Sequence, residues 1–536
     1  MTIARRCIGV ALSAALAFAA ARAQQAAAPD GYWPTHGWRT STPEAQGMDS
    51  RALTRALSFI RDKQVPIHSL LIVRNGRVVL DAYFSPFKEG QLHDLASGTK
   101  SVTATLAGIA IGEHKLSGVQ QPVLPLFPEA PTAAHDAMRE RMTVEHLLTM
   151  TSGVDCQWMH GETTLDDMRK SADWVRFTLG LRIVAEPGTT WEYCSPGMHL
   201  LSGVISRVTG TSAFDFAKAT LFKTLGIDEA VWPADAQGVS YGWGDLHLLP
   251  HDMAKLGYLW LQHGKWEDRQ VVPAGWMESA TRQHAEHTGE GYGYGMWVYP
   301  GRQPPIFEAN GRGGQRISVV PAKNLVVVMT GGGFEPGDIG KFILESLKSD
   351  GPIAEDVTAT AALNVAVAAA ALPPKAQAVH DVPAWARGIS GTRYAFDDNT
   401  VGLAALTLTF DRRDEAMTRI EFADGRVEER AVGLDGVPRL SGAGRFGLPV
   451  AMRGEWMGND AFHLVYDEVA NINALVLHLT FSGSDVTAIL TERTGLIDHA
   501  ILKGHQVPPR APRPPEAVAP SPRLHQAMPA SHRVGK

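Results

Sequence analysis

Cysteine is nearly absent: the chain has three among 536 residues, with no pair in Cys-x-x-Cys spacing. No histidine cluster has metal-ligand spacing, so neither a zinc site nor a disulfide-dense scaffold is expected. Long runs of one charge are missing and the formal net charge is -6, which argues against nucleic acid as a partner. The glycine-rich run "TGGGFEPG", from Thr330 to Gly337, lacks the Lys-Ser/Thr step of a phosphate loop. No cofactor motif stands out, and the reading needs neither cofactor nor metal. The apolar run Cys7–Ala20 is short for a membrane span. It follows Arg5 and Arg6 and leads into a small-x-small step ending at Ala23. That is the pattern of an export signal cut after Ala23, with an uncleaved anchor as the alternative. A periplasmic or secreted chain with no stable membrane span after cleavage is expected.

What is present is ordinary soluble-protein chemistry, 44% hydrophobic and 20% charged, in a chain long enough for two or three domains. "IHSLLIVRNGRVVLDAYF" reads as a hairpin turning at Asn75-Gly76. A second hairpin-like pair runs from Arg316 to Thr330. Between them, Thr143–Met150 reads as a capped helix stopping before Gly153, and Pro250–Gly264 as a helix with proline at its start and glycine at its stop. Strands at both ends with helices between predict one sheet built from the two termini and covered by helices. Residues 349–384 are Ala/Pro-rich and read as a partly helical linker. Residues 385–505 alternate apolar and polar, with a turn at Asp424-Gly425, as an all-β domain, barrel or sandwich, would. The Pro-rich tail 506–536 is expected to be disordered. Every chemical motif ends before the linker, so the β domain is expected to be separable.

In "LASGTKSVTATLAGIAIGEHKL", Ser97 and Lys100 stand three residues apart at the start of an apolar helical pattern. Residues at i and i+3 share a helix face. The first turn also offers free N–H groups and the positive end of the helix dipole. A buried lysine there loses its proton more easily and can serve a serine nucleophile. A serine cap beside a solvated lysine is the plainer alternative, and Ser-x-x-Lys alone does not decide.

Further segments do. Tyr193 and Ser195 form a Tyr-x-Ser step before an apolar helix, Ser152-Gly153 closes a turn, and "NGRGGQRISVVP" sets a glycine-rich loop before a strand. With Ser97-x-x-Lys100, these resemble the serine β-lactamase and penicillin-binding-protein superfamily over roughly Asp49 to Leu347. The resemblance is strongest to class C β-lactamase-like serine hydrolases: esterases, D-aminopeptidases and linear-amide hydrolases. It implies an α/β fold for residues 30–348, an antiparallel sheet flanked by helices with an all-helical region. It implies Ser97 as nucleophile, Lys100 as its activator and Tyr193 as the proton shuttle. A phenol needs nearby positive charge, from Lys100 and Arg312, to act as a base near neutrality. The resemblance also implies an oxyanion hole from the N–H groups of Ser97 and Gln315, and substrate binding by Ser195, Arg312, Gly313 and Gly314.

Ser195 departs from the family's more usual Asn, and Arg312-Gly313-Gly314 replaces its Lys-Thr-Gly strand motif. Efficient β-lactam hydrolysis is therefore less expected than cleavage of a small ester or amide. A D-alanyl peptidase or β-lactamase, and a non-catalytic penicillin-binding-like receptor, are the alternatives. Oligomeric state stays open. After signal removal Cys156 and Cys194 are the cysteines left, each in a loop that the resemblance places beside the site. An exported chain would join them as a disulfide; two buried free thiols are the other possibility.

Overall fold

Asn75 and Gly76 adopt positive φ angles of 51° and 73°, the left-handed pair that a two-residue hairpin turn requires. In the computed structural model, which describes residues 31–508 except 132–135, 380 and 443, this turn joins the strands Ile67–Arg74 and Arg77–Tyr83. The N-terminal segment read as an export signal, and the tail beyond 508, lie outside the described residues.

Ile67–Arg74 also pairs antiparallel with Leu325–Gly331, so the two ends of the hydrolase-like region meet in one sheet. Its order runs from Arg77–Tyr83 through Ile67–Arg74, Leu325–Gly331, Gln315–Val320, Ile306–Gly311, Trp297–Tyr299 and Glu290–Tyr292 to Ala285–His287, eight strands among the described residues. The central strands are buried along their whole length, as continuous apolar runs covered on both faces must be.

Two apolar cores form, one on each face. On one side lies Ser50–Asp62, whose Ala52, Leu53, Ala56, Leu57 and Ile60 recur at helical spacing and whose N-terminus is capped by Asp49. Pro336–Ser346 and Val357–Ala370 pack beside it, and Ile339, Ile343 and Leu363 join the same core. The linker's helix is thus part of this layer. On the other face, Thr99–Gly112, Ser195–Thr209 and Pro250–Leu261 build the larger core. Thr99–Gly112 is buried nearly all round and depends on Gly108: a Cβ there would stand 2.6 Å from the Trp276 ring. The helix expected over Thr143–Met150 is shorter, Val144–Leu148. Thr143 and His146 cap its start, and Met150 turns left-handed at its end.

The C-terminal domain is a barrel. Among the described residues ten strands run from Arg393–Phe396 to Ala500–Val507, with Gly425 at a φ of 88° in the expected turn. Pairing of Gly433 with Arg453 closes nine of them into a ring, and short Arg439–Ser441 adds at its side. The barrel does not stand apart. Tyr83 and Phe87 of the first domain share a small core with Ala451, Val469 and Ala470. Polar contacts cross the same boundary: Asp94 N–H to Ala470 O at 3.0 Å, and Arg445 to Asp245 at 2.6 Å. The separability expected from the motif positions finds no support in this packing.

Candidate active site

Ser97 lies in a short 3-10 turn, Ala96–Gly98, that runs directly into Thr99–Gly112. Ala96 holds a φ of 47°, which is costly for a residue with a Cβ. Neighbours fix the turn. Asp94 Oδ1 accepts from the Ala96 N–H at 2.7 Å, and Leu95 N–H donates to Leu246 O at 2.9 Å. Gly311 lets the sheet approach, since a Cβ there would sit 2.3 Å from Leu95 O. Ser97 itself is half-buried and reachable, whereas Lys100 is 1% exposed.

Lys100 Nζ donates to Ser97 Oγ at 3.1 Å and to Trp243 O at 3.0 Å. Burial lowers its pKa from 10.5 to about 8, although the carboxylates of Glu162 and Asp245 pull it back up. A neutral amine beside a serine hydroxyl is therefore accessible near neutral pH. Tyr193 lies with its ring centroid 4.5 Å from Lys100 Nζ. The phenol is pushed well above its ordinary range, first by burial and then by Glu162, against a hydrogen bond with Ser97. The resemblance implies a Tyr193 acidified by positive charge, whereas its surroundings push the phenol the other way. The physical reason is burial first and the Glu162 carboxylate second, and Arg312 is turned toward other partners.

Arg312 Nη2 donates to Asn473 Oδ1 at 2.7 Å, Nη1 bonds Thr494 Oγ1, and Glu492 lies 3.7 Å away. All three partners belong to the barrel. The guanidinium expected at a substrate carboxylate is engaged by protein instead. Gly313 and Gly314 have φ angles of 80° and 97°. A Cβ on Gly313 would stand 2.3 Å from Ile472 of the barrel, and one on Gly314 would stand 2.5 Å from Phe334. These glycines admit neighbouring protein closely. Gln315 begins the next strand, and its buried side-chain amide bridges to Gly331, accepting from its N–H at 3.0 Å and donating to its O at 2.5 Å.

Cys194 and Cys156 are joined by a disulfide, which ties the Tyr193–Ser195 step to the loop after Gly153. Gly153, at a φ of 75°, lies where a Cβ would strike Ala185 O at 2.1 Å. Ser195 opens its helix; its N–H donates to Glu162 Oε1 at 3.2 Å, and its buried Oγ has no partner. Trp158 and Trp191 pack around Tyr193, with ring centroids 6.2 and 6.3 Å from it. Trp243 is core, stacked on Tyr241. His199 is buried against Asp235 at 3.0 Å, and His160 is exposed.

Sequence reasoning missed Glu162 and Asp245, the two carboxylates that act on Lys100. Gly161-Glu162, lying in the loop after Cys156, was the available signal. Among the described residues Asp81, Glu89 and His251 bring ligand-type atoms within 4.8 Å of one another, but His251 already bonds Asp81 at 2.9 Å. Among the same residues no helix is long and apolar enough to cross a membrane.

The family described as Beta-lactamase matches residues 44–341. The 6-aminohexanoate-dimer hydrolase of Paenarthrobacter ureafaciens is 25% identical over 224 residues, covering 39% of this chain and 56% of its own length. Penicillin-binding protein 4* of Bacillus subtilis (strain 168) is 27% identical over 192 residues, covering 32% and 40% respectively. Esterase EstB of Burkholderia gladioli is 28% identical over 211 residues, covering 34% and 53%. The chain thus spans about half the length of the curated relatives it matches. A solved structure named "Putative 6-aminohexanoate-dimer hydrolase from Bacillus anthracis" superposes with a TM-score of 0.50 at 17% identity, over 57% of this chain and 86% of that one. It shares the fold.

Proposed function

The chain belongs to the beta-lactamase family, and on that premise we propose that it is an exported serine hydrolase cleaving a small ester or amide through an acyl-enzyme on Ser97. The observation that carries this reading is the 3.1 Å contact between Lys100 Nζ and Ser97 Oγ, with Lys100 buried and its pKa near 8. Neutral Lys100 takes the Ser97 proton as Oγ attacks the carbonyl carbon. The N–H groups of Ser97 and Gln315 receive the developing oxyanion. Tyr193, held protonated, donates to the leaving oxygen or nitrogen, and Lys100 returns a proton to the phenol. The C–O or C–N bond breaks and the alcohol or amine departs. Water then attacks the acyl carbon, gives one proton to the base, and releases the acid with Ser97 restored. The family relatives that bear hydrolase and esterase names support this class of reaction.

Ser195 Oγ, buried and unpartnered, is the group this reading assigns to the substrate, because such an orphan needs a partner. Arg312 is not assigned to it. With its guanidinium held by the barrel, an uncharged acyl or leaving group fits better than a substrate carboxylate, which favours an ester or simple amide over a D-alanyl peptide or β-lactam. Export is supported by the N-terminal segment and by the Cys156–Cys194 bridge. The test is a panel on the purified chain: short p-nitrophenyl esters, a linear amide, D-Ala-D-Ala and a chromogenic β-lactam. Turnover highest on uncharged esters or amides is expected. Turnover confined to D-Ala-D-Ala or the β-lactam overturns the substrate class, and turnover of none overturns the enzyme.

A further inference from the structure

The barrel is filled at one end and hollow at the other. Along the strand Ala474–Ser482, Phe481 joins a closed aromatic plug with Trp385, whose ring stands 5.2 Å from Trp456, which in turn lies 4.4 Å from Phe410. Earlier in the same strand, Leu477 lines a cavity of about 350 Å³ together with Leu406, Ile420, Leu464 and Leu490. Protein interiors are close-packed and rarely leave voids larger than a water. A barrel interior of this volume falls in the range of small-molecule sites. Leucine lining makes it a poor home for ordered water, which needs two to four polar partners.

Charges stand at the open end, and each already has a hydrogen-bond partner. Arg445 bonds Asp245 at 2.6 Å, and Arg426 bonds Asp424 at 2.7 Å. Glu428 accepts from Arg430 at 2.8 Å and from the Tyr466 hydroxyl at 3.0 Å, and Glu468 accepts from Asn473 at 3.1 Å. Two arginines, Arg426 and Arg445, and two glutamates, Glu428 and Glu468, line this end, so neither sign dominates the rim and an ion entering would disturb these contacts, whereas a neutral polar group can hydrogen-bond there. The Arg445–Asp245 contact also turns this end toward the first domain.

We propose that the hollow half of the barrel binds a single hydrocarbon chain carrying an uncharged polar head, such as an alcohol, ester or amide. The leucine-lined interior takes the chain, and the rim of Arg426, Glu428, Arg445 and Glu468 takes the head. This site does not depend on the chemistry assigned to Ser97. The experiment titrates the full chain with N-phenyl-1-naphthylamine, an uncharged fluorophore that brightens in apolar cavities, and then displaces it with decanol or decanoate. The probe should saturate at one site per chain, and decanol should displace it at about a tenth of the decanoate concentration or less. Filling the cavity with Leu477→Trp should weaken the probe about tenfold, while labelling of Ser97 by a fluorophosphonate reports that the variant is folded. If that variant does not fold, the displacement series on the unaltered chain still decides. No saturable binding, equal displacement by decanoate, unchanged binding to a folded Leu477→Trp, or loss of binding once Ser97 is acylated would each overturn the proposal.

Discussion

Arg312 of the glycine-rich loop and Asn473 of the barrel are joined at 2.7 Å, beside the turn that carries Ser97. The barrel therefore holds the glycine-rich loop in place beside that turn. Asn473→Ala removes a partner of a charged donor, a loss of about 1.5–3 kcal/mol locally. It should lower kcat/KM about tenfold with only a small drop in Tm, read by ester kinetics and thermal unfolding. Unchanged kinetics would show that the loop is held without the barrel.

Removal of the whole barrel should do more. A chain stopped at Lys348 loses Val357–Ala370 from its place beside Ser50–Asp62 and uncovers Tyr83 and Phe87. It should be recovered insoluble or unreactive to a fluorophosphonate. Soluble protein that labels at the full-length rate would contradict the packing argument.

Lys100 makes the rate pH-dependent. With a pKa of about 8, protonated Lys100 cannot accept the Ser97 proton, so kcat/KM should fall about tenfold per pH unit below that value. The same group destabilises the fold. Its folded pKa lies below 10.5, so the folded chain binds fewer protons than the unfolded one between about 8 and 10.5, and the cost is relieved as pH rises through that window. At pH 7 the full cost applies, on the order of 3 kcal/mol. Lys100→Met should therefore be inactive yet more stable than the parent at neutral pH, measured by denaturant unfolding. A flat pH profile from 6 to 9, or a destabilised variant, would count against the assignment.

Glu162 raises the pKa of both Lys100 and Tyr193. Glu162→Gln should therefore shift the acidic limb of the rate profile to lower pH. A shift upward, or none, would remove Glu162 from the site's electrostatics.

The proximity of Ser97 and Lys100 was legible because their spacing is local, and that of Tyr193 to Lys100 came through the family resemblance. Ser97 and Lys100 share one helical turn, and Tyr193 stands directly before a helix. The hairpin at Asn75-Gly76 and the sheet built from both ends were legible for the same reason, since alternation and turn chemistry are local signals. Arg312 was misdirected because its partners, Asn473, Glu492 and Thr494, lie more than a hundred residues away and carry no motif. The state of Tyr193 was hidden for a related reason. Its shift comes from burial and from Glu162, which only the folded loop brings near. The packing of the barrel against Asp94 and Asp245 likewise follows from surface complementarity, which periodicity does not encode.

The Cys156–Cys194 bridge spans 38 residues, a loop for which chain entropy gives about 4 kcal/mol. The Cys156→Ala/Cys194→Ala double variant should lose stability on that scale and lower kcat by loosening the Tyr193 loop. Titration of the denatured, unreduced chain should find no free thiol at these positions. Two free thiols there would contradict the bridge.

Intact-mass measurement after reaction with a fluorophosphonate, followed by peptide mapping, tests the Ser97 nucleophile most directly. The account predicts one adduct per chain on the peptide bearing Ser97. It predicts no adduct in Ser97→Ala, whose ester turnover should fall by on the order of 10⁶. An adduct on another residue, or near-normal hydrolysis by Ser97→Ala, would contradict it.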